Sequence, residues 1–353
     1  MTTSSTPPSA PWLSVLIPVF NVEDYLTACV QSVLDQSADD AAGVEVLLLD
    51  DCSTDSSAQL MQSLAERWPG RLRLLRHDAN AGLSAARNTM IDSARGDYLW
   101  FLDSDDKLLP GAIAGLRRIV QQHAVDVVLC DFRVWRRHER IKHVLRGERH
   151  RATFDGPSGG PQEGGDALAA GLLMTGQLHA WSKISRRALW ADGLRFPPGR
   201  YFEDMATMPL VARRARSFYY APQAWVAYRQ REGSILASTN VRKAADQSGS
   251  LLAFAAERAA LQPNDALPDR LPDRLRLALA HQCARNLVGA MRSLHRIGTA
   301  EPLPVRQAAA ERFRLDFDTA SPIPLAALRR QYLWRGWWMR GLRLGRWYAY
   351  QPR

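Results

Sequence analysis

Nine consecutive residues, Tyr98-Leu99-Trp100-Phe101-Leu102-Asp103-Ser104-Asp105-Asp106, put the tightest limit on what this chain can fold into. An unbroken apolar run of this length suits a strand buried on both faces of a parallel sheet. It leads straight into three acids. In an extended chain, residues two apart point the same way, so Asp103 and Asp105 are expected on one side at the strand's carboxyl end. Carboxylates held together there repel unless a cation lies between them, and hard divalent ions take oxygen ligands. Open α/β sheets bind their ligands at this same edge. The stretch therefore reads as a metal–diphosphate site. The plainer alternative is that the acids and Ser104 cap the next helix.

The chain around this strand alternates strand and helix. Strands are expected at 13–21, 44–49, 72–75, 98–103 and 126–130, with helices at 23–34, 56–68, 82–94 and 110–123 between them. Pro18 cannot donate to a ladder, so it belongs near a strand end or an edge. The alternation predicts an α/β fold with a parallel, doubly wound sheet and helices on both faces. Right-handed crossovers then bring Asn21, Asp51 and Asp103 to one edge. Residues 168–174 read as helical. Beyond about residue 236 the chain becomes rich in Ala, Leu and Arg, with helical spacing at 246–260 and 271–296. Three segments are expected: a flexible polar tail at 1–11, an α/β domain at 12–236, and a mainly helical extension at 237–353.

Composition excludes several classes. The 46% hydrophobic content is that of a globular core, and no apolar run is long enough to span a bilayer. The first eleven residues lack the basic and apolar regions of a secretory signal. Cys29, Cys52, Cys130 and Cys283 are too scattered for a zinc site or a disulfide framework, which favours a reducing, cytoplasmic setting. Residues 1–110 hold 7 Lys and Arg against 16 Asp and Glu, a local charge of −9 in a chain whose total is +10. A front half so acidic is not a nucleic-acid surface, and no nucleic-acid motif appears. The basic remainder needs an anionic partner or many solvated arginines.

Several residues carry possible chemistry. Asp51, at the end of an aliphatic strand, is placed to accept the N3–H of a uracil ring or to cap a helix, although Asp55 lies better for capping. Arg87, one turn into a helix opened by Gly82, is suited to holding Asp51 or a phosphate, or to pinning the sheet edge by a salt bridge. Glu203 and Asp204 suit a helix start, and one of them suits a general base near an acceptor hydroxyl. Arg229 and Arg231 flank a Gly233-Ser234 hinge, the makings of a basic loop that closes over a departing diphosphate. His179, Trp181 and Lys183 would line an acceptor site or simply pack.

Taken together, these motifs resemble the family 2 glycosyltransferases of the GT-A fold. The matching elements are Ser14 to Asn21, Asp50 to Asp55, Asn80 to Asn88, Phe101 to Asp106, Trp181 to Ile184, Glu203-Asp204 and Tyr228 to Ser234, in that order over about residues 12–236. Cys52 stands where the family usually has glycine. The resemblance implies an inverting, metal-dependent hexosyl- or N-acetylhexosaminyltransferase of bacterial-type polysaccharide or lipopolysaccharide synthesis. It implies that Pro18, Phe20, Asn21, Asp51, Gly82, Arg87, Asp103, Ser104, Arg229 and Arg231 meet a nucleotide-sugar donor, a UDP-sugar by the uracil pairing. Asp105 and Asp103 would hold Mn²⁺ or Mg²⁺, Asp204 would be the base, and His179, Trp181, Lys183 and Glu203 would face a glycan or lipid-linked acceptor. The alternative is a metal-dependent nucleotidyltransferase acting on sugar phosphates. Such an enzyme wants a basic, glycine-rich loop after the first strand, whereas Asn21-Val22-Glu23-Asp24 is acidic.

The resemblance does not reach the tail. From Arg330 to Tyr350 there is no acid, and four of the chain's 11 tryptophans fall there. On one helix over about 325–350, Arg335, Arg340, Arg343 and Arg346 would oppose Leu333, Trp334, Trp337, Trp338, Leu344 and Tyr348. Tryptophan against arginine is the pattern of a helix lying in a membrane interface, here the anionic inner face of the cytoplasmic membrane. The alternative is that the tryptophans pack on the catalytic domain.

Overall fold

The fold was taken from a computed structural model, which describes residues 10–40, 43–136, 139–230, 239–260 and 272–353. In chain order the first half runs β1 (Leu13–Val19), α1 (Leu26–Leu34), β2 (Val44–Asp50), α2 (Ser57–Arg67), β3 (Leu72–Arg76), α3 (Leu83–Ser93), β4 (Tyr98–Phe101), β5 (Lys107–Leu108) and α4 (Ala112–His123). There follow β6 (Val127–Trp135), α5 (Ile141–Leu145), β7 (Pro161–Glu163), α6 (Gly165–Thr175), β8 (Lys183–Arg186), α7 (Glu203–Arg214) and β9 (Ser217–Arg229). The rest is helical: α8 (Val241–Gly249), α9 (Leu252–Ala260), α10 (Asp273–Ile297), α11 (Leu303–Ala320), α12 (Leu325–Trp334) and α13 (Trp338–Tyr348).

One sheet has the order β3-β2-β1-β4-β8-β6-β9-β5, with β7 on β9. The first four strands of that order are parallel, as expected. The sheet as a whole is mixed rather than parallel. β8 runs antiparallel to both β4 and β6, and β5 and β7 run antiparallel to β9. β8 follows α6 and a short 3₁₀ turn at Ala180–Ser182, and enters the sheet between β4 and β6. Pro18 lies next to the end of β1, beyond Leu16, the last residue that pairs with β4.

Side chains alternate between two cores. Val15, Ile17, Val46, Leu48 and Trp100 face α1, α2 and α4 through Val30, Met61 and Leu116. Leu16, Leu47, Leu49, Leu99 and Phe101 face the other way, onto Met90, Leu172 and Met208 of α3, α6 and α7. Every residue of β1 and β4 is buried, which is why these strands read as unbroken apolar runs. The second core continues without a break into Leu275, Leu287, Phe313, Leu328 and Leu344, so the C-terminal helices pack on the same core as the sheet.

The tail is two helices, not one. Gly336 adopts φ +69° between α12 and α13, and Trp337 N–H closes onto Tyr332 O at 2.7 Å. β4 is also shorter than expected. Asp103 to Asp106 forms a turn, closed by Asp106 N–H donating to Asp103 O at 2.9 Å. The acids are therefore displayed on a turn and not on extended chain.

The β1–β4 pairing that sets the height of this turn depends on Gly96. Its N–H donates to Ser14 Oγ at 2.9 Å, and a Cβ there would stand 2.5 Å from the Ser14 backbone N. Gly96→Ala is expected to destabilise the fold by about 1–3 kcal/mol, the usual cost of forced overpacking. Urea unfolding measures this, and an unchanged midpoint would show that the strands part freely at this point.

Candidate active site

The site is built on one buried cation. Arg87, on α3, is 1% exposed. Its Nη1 donates to Glu203 Oε1 at 3.0 Å and to Asp204 Oδ1 at 2.7 Å, and its Nη2 donates to Asp103 Oδ1 at 3.0 Å. The guanidinium also lies 5.2 Å from the Phe196 ring centre. Three carboxylates thus meet one planar fork, and they raise the arginine's proton affinity further. Glu203 and Asp204 occupy the first turn of α7, which Phe202 enters with φ +58°. The second oxygen of Asp204 accepts the Ala180 N–H at 3.0 Å. Burial, with the neighbouring Asp204 charge added to it, pushes Glu203 up to about 7.

A second group forms where β1 and β2 end. Asp51 Oδ1 accepts from His77 Nδ1 at 2.6 Å and from Ala81 N–H at 3.0 Å, and Oδ2 accepts from Gly82 N–H at 2.8 Å. His77 Nε2 lies 2.9 Å from Thr89 Oγ1. Both contacts are satisfied when Nδ1 donates to Asp51 and Nε2 accepts the hydroxyl proton. Asn21, at φ +52°, accepts the Thr54 N–H on Oδ1 at 2.8 Å and ties the β1 exit to the β2 exit. Cys52 sits at φ +61°, so the turn keeps the backbone that glycine would favour. Phe20 is 44% exposed beside this pair of strand ends.

The acidic turn is braced by Arg229 from the end of β9. Arg229 Nε donates to Asp105 O at 2.7 Å, and its backbone N–H donates to Asp106 Oδ1 at 2.7 Å. Its guanidinium is stacked between Trp135, at 3.7 Å, and Tyr25, at 4.8 Å. Asp106 Oδ2 is buried without a hydrogen-bond partner. Burial and the nearby Asp103 and Asp105 charges push Asp106 well above the ordinary carboxylate range. Among the described residues no three His, Cys, Asp or Glu side chains gather as a closed metal centre. An all-oxygen set of one or two carboxylates is, however, what Mg²⁺ and Mn²⁺ use when a phosphate completes the shell. The crowded acids and the orphaned Asp106 oxygen fit a cation of that kind.

Behind Asp204 lies an aromatic layer. His179 stacks on Trp181 at 4.8 Å, Trp181 stacks on Tyr228 at 5.7 Å, and the Phe132 edge meets Trp181 at 4.9 Å. Lys183 is buried, donating to His179 O and Ser182 Oγ, each at 2.8 Å. Burial lowers Lys183 to about 7 and His179 to about 3.

Residues 14–168 match the model of the family described as glycosyl transferase family 2. This part of the chain is therefore similar to family 2 glycosyltransferases. The chain is 28% identical to glycosyltransferase GlyA of Streptococcus pneumoniae over 231 residues, 63% of this chain and 31% of that protein. It is 30% identical to the uncharacterized glycosyltransferase YibD of Escherichia coli over 219 residues, 61% of this chain and 60% of that one. The match therefore spans less than two thirds of the length of either relative. The crystal structure of Staphylococcus aureus TarS 1–349 in complex with UDP-GlcNAc superposes with a TM-score of 0.60 at 20% identity, covering 92% of both chains. The fold is thus the GT-A fold, with a helical C-terminal region after it.

Within this glycosyltransferase fold the expected residues divide. Asn21, Asp51 and Gly82 meet at one edge, and Asp103, Arg87, Glu203 and Asp204 meet beside it. Arg87 is a nearly inaccessible hub, hydrogen-bonded to three carboxylates and not to Asp51. Glu203 belongs to this hub through its bond to Arg87. Ser104 is buried within the turn. Trp181 and Lys183 are buried as well, so of the acceptor-side residues only His179 reaches the rim of the aromatic layer. Arg231 lies outside the described residues, as does the Gly233-Ser234 hinge. Sequence reasoning missed His77, Tyr25 and Trp135. His77 had a signal, as a lone histidine directly after β3 and three residues before Asn80, but the two aromatics that hold Arg229 had none.

Two outcomes are expected. Arg87→Met leaves three clustered carboxylates without their cation and should cost about 3–5 kcal/mol of stability, measured by denaturant unfolding. Glu203, ordinarily near 4.5, holds its proton to about 7 in the fold. That proton favours folding below pH 4.5, and the contribution disappears as pH rises through 7. Wild type should therefore lose about 2–3 kcal/mol relative to Glu203→Gln between pH 4.5 and pH 8. A pH-independent difference between the two would mean that Glu203 titrates as an ordinary carboxyl.

Proposed function

We propose that the chain is an inverting, metal-dependent glycosyltransferase. It moves a hexosyl or N-acetylhexosaminyl group from a UDP-sugar to a hydroxyl of a glycan or lipid-linked glycan in bacterial-type polysaccharide or lipopolysaccharide synthesis. The observation that carries this reading is the Arg87 hub, which joins the turn of the donor acids to the Glu203-Asp204 pair. Donor chemistry and proton removal then share one rigid support. UDP-sugars are products of cytoplasmic metabolism, so the reaction belongs on that side of the membrane.

Asp51 accepts three hydrogen bonds on its two oxygens, leaving one acceptor position on Oδ2 for a uracil imide N–H. Phe20 and Pro18 would sit beside the uracil base. Asp105 and the second oxygen of Asp103 would hold Mn²⁺ or Mg²⁺, which supplies positive charge to the diphosphate leaving group. Arg229 holds the acidic turn in place through the Asp105 carbonyl. Asp204, oriented by Arg87 and the Ala180 amide, takes the proton of the acceptor hydroxyl as its oxygen attacks the anomeric carbon. Attack opposite the diphosphate inverts that centre. Since the leaving group is a diphosphate, no carboxylic acid need protonate it.

Glu203 is a second reading for the base, favoured by its proton affinity near neutrality. Single variants decide between them. Asp204→Asn should keep UDP-sugar affinity by calorimetry and lose turnover by about 10²–10⁴-fold, while Glu203→Gln loses far less. The reverse order would assign the base to Glu203.

The donor class and the metal are tested together. In a panel of UDP-, GDP- and TDP-sugars, UDP release should be the signal that responds to Mn²⁺. Asp105→Ala should abolish it while the thermal transition persists. Full turnover in EDTA would overturn the metal reading, and retention at the anomeric carbon by NMR would overturn the single displacement.

A further inference from the structure

The last 35 residues, 319–353, hold seven arginines and neither an acid nor a lysine. They fold against the body of the protein by one side only. Leu328, Tyr332 and Leu344 are buried, and Trp337, Trp347 and Tyr348 pack on the core. Tyr332 Oη lies 2.7 Å from Nδ1 of the buried His281 on α10, and Tyr348 Oη donates to Asp318 at 2.8 Å. The other side is unpartnered among the described residues. Trp334 is 88% exposed and Trp338 56%, with Leu333, Met339 and Leu342 equally open around the α12–α13 joint. Arg330, Arg335 and Arg343 are exposed among them and have no acidic partner among the described residues.

We propose that this face is a docking surface for an anionic lipid bilayer. Its exposed side chains are those of an interfacial site: tryptophans suited to the headgroup level, aliphatics that bury in the acyl boundary, and arginines that meet lipid phosphates. No described helix is long and apolar enough to cross a membrane, so the contact lies on the surface. A second copy of this chain is a poor occupant, because a two-fold contact would set the same arginine-rich face against itself. A nucleic acid would use the arginines but leave Leu333, Met339 and Leu342 without a partner. The structure also revises the sequence reading, since Trp337, Leu344 and Tyr348 pack inward and Trp334, Trp338, Met339 and Leu342 carry the contact.

Because α13 seals part of the core, the test uses point variants of the full chain. Wild type is floated in a density gradient with vesicles of phosphatidylcholine and phosphatidylglycerol at 3:1, and with phosphatidylcholine alone. It should float with the anionic vesicles, less so in high salt, and stay low with the neutral ones. Trp334→Ser with Trp338→Ser should reduce partitioning at least tenfold, as should Arg330→Gln with Arg335→Gln and Arg343→Gln. Both sets should retain the wild-type melting transition, since they alter exposed side chains. The proposal is overturned if wild type stays low with anionic vesicles, or if both sets float like wild type. It is also overturned if the chain is a dimer that the tryptophan variant dissociates, or if it binds a polyanion such as heparin but not vesicles. None of these readouts needs a sugar donor, so they stand apart from the transferase reading.

Discussion

A guanidinium with almost no access to water cannot exist in a protein interior without compensating charge, and three carboxylates cannot crowd together there without a cation. Arg87 and its partners solve both problems at once. Asp103 comes from the turn after β4, Glu203 and Asp204 come from the start of α7, and Arg87 lies on α3 between them. Glu203 is separated from Arg87 by 116 residues of chain. The contact therefore locks the N-terminal strand–helix units to the later part of the domain. It also fixes the distance between the acidic turn after β4 and the Glu203-Asp204 pair.

The hub leaves the three carboxylates in unlike states. Asp204 has both oxygens in hydrogen bonds, one to Arg87 and one to a backbone amide. Glu203 has one oxygen on Arg87 and is otherwise desolvated, which is why its proton is held so high. Adjacent residues with the same functional group thus meet different surroundings. The donor edge is built differently. There Asp51 is fastened by two backbone N–H groups and His77, and Arg229 is fastened by two aromatic faces.

The C-terminal helices show how one sequence pattern serves two surfaces. A single helix would have sorted its arginines and tryptophans onto opposite sides. The break at Gly336 resets the phase, so tryptophans adjacent in sequence face opposite ways: Trp337 inward against His281, Trp338 outward. Burial lowers His281 to about 3, which keeps it neutral against Arg285 and Arg340.

The sequence alone determined the strand–helix order of the first half, because residues buried on both faces must be apolar in unbroken runs and helices must repeat near 3.6. It also marked Asp51, Asp103, Asp105 and the Glu203-Asp204 pair as acids at element ends, where side chains are not needed for packing. It did not determine the antiparallel sense of β8, the turn that displays the acids, or the phase break in the tail, all of which depend on what each segment packs against. Nor did it say what Arg87 holds. A charged side chain on a helix reads the same whether it meets a phosphate, a single acid or three acids. Only the tertiary structure, by burying the guanidinium where two distant segments bring their carboxylates, decided that it meets three acids at once.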